Sequence, residues 1–263
     1  MKNVNNVYDI KNLQLSRDGR QVLTQVSLQL AEGRLTGLIG PNSAGKSSLL
    51  EAMFGFLPAD SGEIHLLQKP LAHWQRTLLA RTVAYLPQQH TAHWPVSVYD
   101  YVALGRIPHL RFGQAPGPQD KQRIDQAIEE TGIRTLSDRA VTQLSGGELC
   151  RVAIARTLAV DARIMLVDEP IAGLDPHHQI AVMQLLQQQA RNGKAVMTVM
   201  HDLGLASRFC DRLWLLDQGR IVCSGTPAEV LTPQNLRQVY RISCRELHAG
   251  GTRITIPWEC SNE

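Results

Sequence analysis

A chain of 263 residues with 43% hydrophobic and 19% charged residues carries enough apolar material for one large domain or two small ones. Its formal charge of +3 is too small to indicate a nucleic-acid binder, and no basic run with interleaved aromatics is present. No window holds a run of about eighteen apolar residues, and Met1-Lys2-Asn3-Val4-Asn5-Asn6 lacks the apolar stretch of a secretory signal, so neither a membrane span nor export is expected.

Over 8–30 apolar and polar residues alternate, as Val26, Leu28 and Leu30 do against Ser27 and Gln29, and Asp18-Gly19 divides the stretch into a hairpin. Arg34-Leu35-Thr36-Gly37-Leu38-Ile39 reads as a strand and Ser48-Leu49-Leu50-Glu51-Ala52-Met53 as a helix. Short strands are expected over 62–67 and 82–86 with a helical stretch over 73–81 between them, and Pro87 ends the second strand. Amphipathic helices over 97–105, 119–131 and 148–158, joined by a Pro/Gly-rich linker over 108–118, then replace the strand signal and read as a helical insertion. Ile164-Met165-Leu166-Val167-Asp168 and Ala195-Val196-Met197-Thr198-Val199-Met200 are continuous apolar runs of the kind buried on both faces of a parallel sheet, with a helix over 179–191 between them. Strands alternating with helices make an α/β core, and right-handed crossovers gather the strand C-termini and their loops on one ligand-binding edge. Cys150, Cys210, Cys223, Cys244 and Cys260 form no C-x-x-C pair, so they are expected to be reduced thiols packed as small apolar residues.

Three motifs carry chemistry. Gly40-Pro41-Asn42-Ser43-Ala44-Gly45-Lys46-Ser47 fits G-x-x-x-x-G-K-[ST] between a strand and a helix, a setting that aims several backbone N–H groups and a helix N-terminus at one polyphosphate. Lys46 would neutralise the outer phosphates and the Ser47 hydroxyl would ligate Mg²⁺. Asp168-Glu169 closes an apolar strand with two carboxylates; the first can hold the Mg²⁺ water shell and the second can orient or deprotonate a water. Leu144-Ser145-Gly146-Gly147-Glu148 stands before a helix and is either an ordinary N-cap by Ser145 or a second anion cradle, which would serve a nucleotide held by a neighbouring molecule.

With these motifs the chain resembles the ATP-binding subunit of an ATP-binding-cassette (ABC) transporter from Tyr8 to its C-terminus. Leu144 to Glu148 match the family's LSGGQ/E string, Asp168-Glu169 its Walker B end, Gln88 its Q-loop, Ala172-Gly173-Leu174-Asp175 its D-loop and His201 its switch histidine. The resemblance implies an α/β P-loop NTPase fold with an antiparallel β subdomain and an inserted α-helical subdomain. It places the nucleotide-binding core in 1–88 and 159–235, a helical signalling subdomain in 89–158 and a C-terminal extension in 236–263. It further implies a head-to-tail dimer with ATP between the phosphate loop of one copy (Gly40, Asn42, Ser43, Ala44, Gly45, Lys46, Ser47 and Ser48) and Ser145, Gly146, Gly147 and Asp175 of the other. In that scheme Glu169 polarises the water, His201 contacts the γ-phosphate, and Gln88 joins Ser47 and Asp168 at Mg²⁺ while sensing the membrane partner.

Departures from the family pattern sharpen some expectations and open others. Arg17 stands where members usually place an aromatic ring under adenine; its guanidinium plane either stacks on the base or is simply solvated. Ser43 replaces the commoner glycine, which leaves the cradle intact if position 43 avoids positive φ. Cys150 and Ile171 have no functional reading from sequence. Trp94 is expected at the interface with the membrane subunit, with His90 and His93 as solvated loop residues. The absence of spans implies separate polytopic membrane subunits and a location on the cytoplasmic face of the membrane. Val102 to Pro108, Leu174 to Gln179 and the tail from Thr226 to Ile242 resemble the importer branch for iron-siderophores, haem and cobalamin, working with a substrate-binding protein. Molybdate, zinc and manganese importers are the alternative, and a soluble non-transport ABC ATPase is a further one.

Overall fold

Asp18 and Gly19 both take positive φ, 51° and 74°, as a two-residue type I′ turn requires. They join β1 (Asn6–Arg17) to β2 (Arg20–Ala31) as the expected hairpin, with Arg17 opposite Arg20. The computed structural model describes residues 5–89, 94–249 and 252–260. β3 (Arg34–Ile39) and α1 (Lys46–Phe54) follow, then β4 (Ser61–Leu66), antiparallel to β1, and the short β5 (Lys69–Pro70). This antiparallel sheet has the order β2-β1-β4-β5 and buries Leu13, Leu15, Val26, Leu28 and Leu30.

Contacts divide the chain into two units, Met1–His73 with Leu186–Glu263, and Trp74–Leu185. The second unit runs through α2 (Arg76–Thr82), β6 (Val83–Leu86), α3 (Val98–Ala103), α4 (Pro118–Glu130), α5 (Gly146–Ala159) and β7 (Ile164–Asp168) into α6 (Pro176–Arg191). β6 and β7 are parallel neighbours, Val83 opposite Ile164, and α5 packs on β6. Ile124, Ala127 and Ile128 line the buried stripe of α4 at the i, i+3, i+4 spacing of an amphipathic helix, which packs on α3 and α5.

A buried arginine ties this bundle together. The stretch after α3 tightens into a 3₁₀ turn (Leu104–His109), and Gly105 lies so close to α5 that a Cβ there would meet the Arg156 carbonyl at 2.3 Å. Arg106, 5% exposed, then pairs its Nε with Asp120 Oδ1 at 2.9 Å and donates from Nη1 to the Ala159 carbonyl at 2.7 Å. One guanidinium thus satisfies a carboxylate in the first turn of α4 and a terminal carbonyl of α5, where the helix dipole favours a cation.

The chain returns to the first unit through β8 (Ala195–Val199), α7 (Leu203–Phe209), β9 (Arg212–Asp217), β10 (Arg220–Gly225), α8 (Pro227–Val230) and α9 (Pro233–Tyr240). β3 lies between parallel β8 and β9, and β10 pairs antiparallel with β9. All five residues of β8 are buried, as its continuous apolar run requires. A final hairpin, β11 (Ile242–Ala249) with β12 (Thr252–Cys260), packs on α7. All five cysteines are free, but only Cys150 and Cys210 are buried; Cys223 and Cys244 are partly exposed and Cys260 is on the surface, so the expectation of core packing fails for those three. No helix among the described residues is long and apolar enough to cross a membrane.

Candidate active site

The phosphate loop lies wholly in the first unit, between β3 and α1. Gly40 has φ 155°, and a Cβ on it would stand 2.0 Å from the Leu216 carbonyl oxygen; Gly45 has φ 103°, with Leu23 Cδ2 at 2.8 Å. Both positions exclude any side chain, for reasons of backbone angle and of space. Gly40→Ala is therefore expected to lower the unfolding free energy by about 2–3 kcal/mol, read by urea titration. Ser43 does take positive φ, 65°, against the condition set for it in the sequence; this value falls in the small left-handed region open to L-residues, so the loop accommodates a serine where glycine is commoner.

Gly45 leaves the N-terminus of α1 without a side-chain cap, the setting in which a helix N-terminus meets an anion. Lys46 is buried, and its Nζ donates to the Gly40 and Pro41 carbonyls at 2.9 and 2.8 Å, folding the ammonium over the loop it would use to hold phosphate. Asn42 and Ser43 are exposed, Ala44 and Ser48 buried, and Ser47 partly exposed at the start of α1. Arg17 Nη1 pairs with Glu51 Oε2 of α1 at 3.0 Å. His201 is exposed just beyond β8, and Asp202 after it caps α7 by accepting from Leu205 N–H at 2.7 Å.

The second unit brings together residues far apart in sequence. Gln88 Nε2 donates to Glu169 Oε2 at 2.8 Å. Asp168 is 1% exposed at the end of β7, and Glu169 sits in the left-handed region with φ 48°, a costly conformation for glutamate that turns its carboxylate out of the strand. Cys150, without a reading in the sequence, donates its thiol to the Pro170 carbonyl at 3.1 Å; burial pushes its pKa up to about 11, so the group stays a thiol and a donor at neutral pH. This joins α5 to the turn that carries Glu169. Ile171 is buried beside it, an apolar residue in an apolar place.

Ser145 caps α5 in a capping box. Its Oγ accepts from Glu148 N–H at 3.3 Å, while Glu148 Oε2 accepts from the Ser145 N–H at 2.8 Å and the Ser145 hydroxyl at 2.9 Å. The Ser145 backbone N–H, then its hydroxyl and, more weakly, Arg139 and Arg151 hold the Glu148 carboxyl below the usual glutamate range. A Cβ on Gly146 would meet nothing, so the tip of this helix is open. Asp175 caps α6, accepting from His178 N–H at 3.0 Å and facing its Nδ1 at 2.6 Å; the N–H and then the ring depress its pKa. Trp94 is exposed, whereas His90 and His93 lie outside the described residues.

A lysine-bearing glycine loop between strand and helix, together with an acid pair at the end of an apolar strand, defines a P-loop ATPase. The family model described as ABC transporter matches residues 23–172. The chain is 44% identical over 244 residues to the hemin import ATP-binding protein HmuV of Nocardia farcinica, covering 92% of this chain and 84% of that one. It therefore belongs to the ABC transporter family and is an ATPase subunit of that family. Its fold matches a metal-chelate type ABC transporter solved in an inward-facing conformation, with TM-score 0.84 and 24% identity over 97% of this chain and 98% of that one. It also matches the dimeric structure of MJ0796, a bacterial ABC transporter cassette, with TM-score 0.75 and 26% identity over 84% and 98% of the two chains.

Proposed function

We propose that this chain is the ATP-hydrolysing subunit of an importer for haem, working with separate polytopic membrane subunits and a substrate-binding protein. The observation that carries the haem assignment is the 44% identity to a hemin import ATP-binding protein across nearly the whole chain. It narrows the broader group of iron-siderophore, haem and cobalamin carriers implied by the sequence motifs.

In this reading two copies close head to tail around two ATP molecules. Gly40 to Ser48 of one copy hold the phosphates, Lys46 leaving its two carbonyl partners for the β- and γ-oxygens, and Ser145, Gly146, Gly147 and Asp175 of the second copy cover them. Ser145 can reach a phosphate only by turning its hydroxyl away from Glu148, so closure exchanges an internal capping bond for an intermolecular one. Glu169 orients and deprotonates the attacking water, His201 meets the γ-phosphate, and Arg17 lies near the base. Mg²⁺, held by Ser47, Gln88 and Asp168, would neutralise charge on the phosphates; a hydroxyl, an amide oxygen and a carboxylate are the hard oxygen donors that suit it. After hydrolysis the added charge drives the copies apart, and the cycle is passed to the membrane subunits at the cytoplasmic face.

The second unit offers a surface for that coupling. Leu78 on α2 and Leu104 and Ile107 on the following 3₁₀ turn are exposed apolar residues on elements joined by the Arg81 Nε to Pro108 carbonyl bond, with Phe112 and Trp94 exposed nearby in sequence. Soluble monomers seldom leave so many large apolar side chains in water on adjacent elements. Ile107→Asp is expected to weaken capture of the membrane subunits at least about tenfold, the worth of one well-buried interface contact, measured by titrating the purified cassette onto detergent-solubilised permease.

The haem assignment is tested by uptake into proteoliposomes holding the complete transporter. ATP-dependent accumulation of haem, with cobalamin and ferric siderophore left outside, is the expected outcome. Accumulation of either of those, or of molybdate or zinc, in place of haem would reassign the cargo.

A further inference from the structure

We infer that Arg139 is a positioning residue for the tip of α5: it neutralises the Glu148 carboxylate, so that Ser145 can release its hydroxyl and a triphosphate held by the second copy can approach. This role rests on the two-copy reading proposed above, and it answers an electrostatic difficulty which that arrangement contains.

The difficulty is a charge of the wrong sign. Gly146 opens the tip of α5 to solvent, yet the first turn of the same helix carries Glu148. An acid at that position suits the helix dipole of the resting chain. It also repels a polyphosphate brought to the same place. Glu148 competes, moreover, for the group that would meet the phosphate, since its Oε2 accepts from the Ser145 hydroxyl at 2.9 Å and from the Ser145 N–H at 2.8 Å. A bare carboxylate would therefore hold the serine back and push the nucleotide away. A cation on its other oxygen weakens both effects.

Arg139 supplies that cation. Its Nη1 donates to Glu148 Oε1 at 3.3 Å, and its Nη2 donates to the Gln143 carbonyl at 3.2 Å. Two bonds from one planar group fix the guanidinium beside the acid and against the chain that leads into the tip. Arg151, three residues further along α5, adds to the positive surroundings of Glu148 but forms no hydrogen bond with it among the described residues. The backbone beneath Arg139 is also held. Its carbonyl accepts from Val98 N–H at 2.9 Å, Val141 N–H donates to the Val96 carbonyl at 2.9 Å, and Ala140 bridges antiparallel to Ser97 between them. Ser97 in turn caps α3, accepting from Asp100 N–H at 3.0 Å. The arginine is thus presented from a braced segment, which lowers the entropy cost of keeping the pair together.

The side chains of Arg139 and Glu148 are 45% and 25% exposed, so solvent screens the pair and its effect at one tip is modest. A closed pair of copies contains two tips, and a loss of about fivefold at each becomes about twentyfold in the dimer dissociation constant. The test is sedimentation of the full-length Glu169→Gln chain in saturating Mg-ATP, with and without Arg139→Ala. The alanine variant is expected to pair about twentyfold more weakly, while the monomer's affinity for a fluorescent ATP analogue stays within about twofold, because Arg139 belongs to the half of the site that the second copy supplies. Adding Glu148→Gln to the same chain removes the charge that Arg139 answers and restores pairing to within about threefold of the parent. Arg139→Lys keeps the charge and is expected to stay within about threefold as well. Should the alanine variant not fold, Arg139→Gln keeps a donor for the Gln143 carbonyl without the charge and is expected to show the same loss and the same rescue. Pairing at parental strength in Arg139→Ala would overturn the assignment. So would a loss that Glu148→Gln leaves unrepaired, which makes Arg139 a framework residue for the Gln143 turn. A Glu169→Gln chain that binds ATP and never pairs would instead overturn the two-copy reading.

Discussion

Glu169→Gln lowers the turnover number for ATP hydrolysis by roughly 10²–10⁴, the usual worth of a general base, while ATP binding stays near that of the parent. The substitution is close to isosteric. An amide oxygen at position 169 still accepts from Gln88 Nε2, which lies 2.8 Å from the carboxylate, so the local bond survives. The left-handed backbone at this position, φ 48°, strains glutamine and glutamate alike, and Cys150 continues to hold the Pro170 carbonyl behind it. What is lost is the capacity to accept a proton from water. Single-turnover hydrolysis measured beside nucleotide affinity separates the two, and turnover within about threefold of the parent would remove Glu169 from its role.

Lys46→Ala weakens ATP binding by roughly 100-fold or more, equivalent to about 3 kcal/mol for a charge-assisted contact in a buried setting. Lys46 is 6% exposed and already desolvated, so the cost of bringing its ammonium out of water is met during folding and most of its attraction for phosphate remains for the ligand. Its removal also leaves the Gly40 and Pro41 carbonyls without their Nζ donor, so a smaller loss of stability accompanies the loss of affinity. Equilibrium dialysis with labelled ATP reads the first effect, and a thermal melt read by circular dichroism reads the second. Affinity unchanged in a folded variant would contradict the assignment of this loop.

The elements that carry the motifs were legible because their signals are local. β7 and β8 are uninterrupted apolar runs whose only reasonable fate is burial on both faces, and Asp18-Gly19 between alternating residues is a turn by backbone chemistry alone. The phosphate loop needs glycine at Gly40 and Gly45 for reasons visible only in space, yet the spacing announced them. What sequence did not reveal lies in contacts between distant residues. Gln88 and Glu169 meet across 81 positions, Cys150 reaches Pro170 across 20, and the Arg106 guanidinium finds Asp120 and Ala159 only once α4 and α5 have packed. Ser43 shows the limit from the other side, since a serine gives no hint that its backbone will be left-handed. The C-terminal hairpin had one local cue, Gly250-Gly251 between two runs of alternating residues, but neither run has the continuous apolar character that made β7 and β8 plain.

A triphosphate shared between two copies of the chain is the centre of the proposed cycle, and sedimentation of Glu169→Gln with and without saturating Mg-ATP tests that most directly. A species of twice the protomer mass that forms with ATP, and is abolished when Lys46→Ala is added to the same chain, is the predicted result. A variant that binds ATP and still sediments as a monomer, alone and when captured on its membrane subunits, would contradict it.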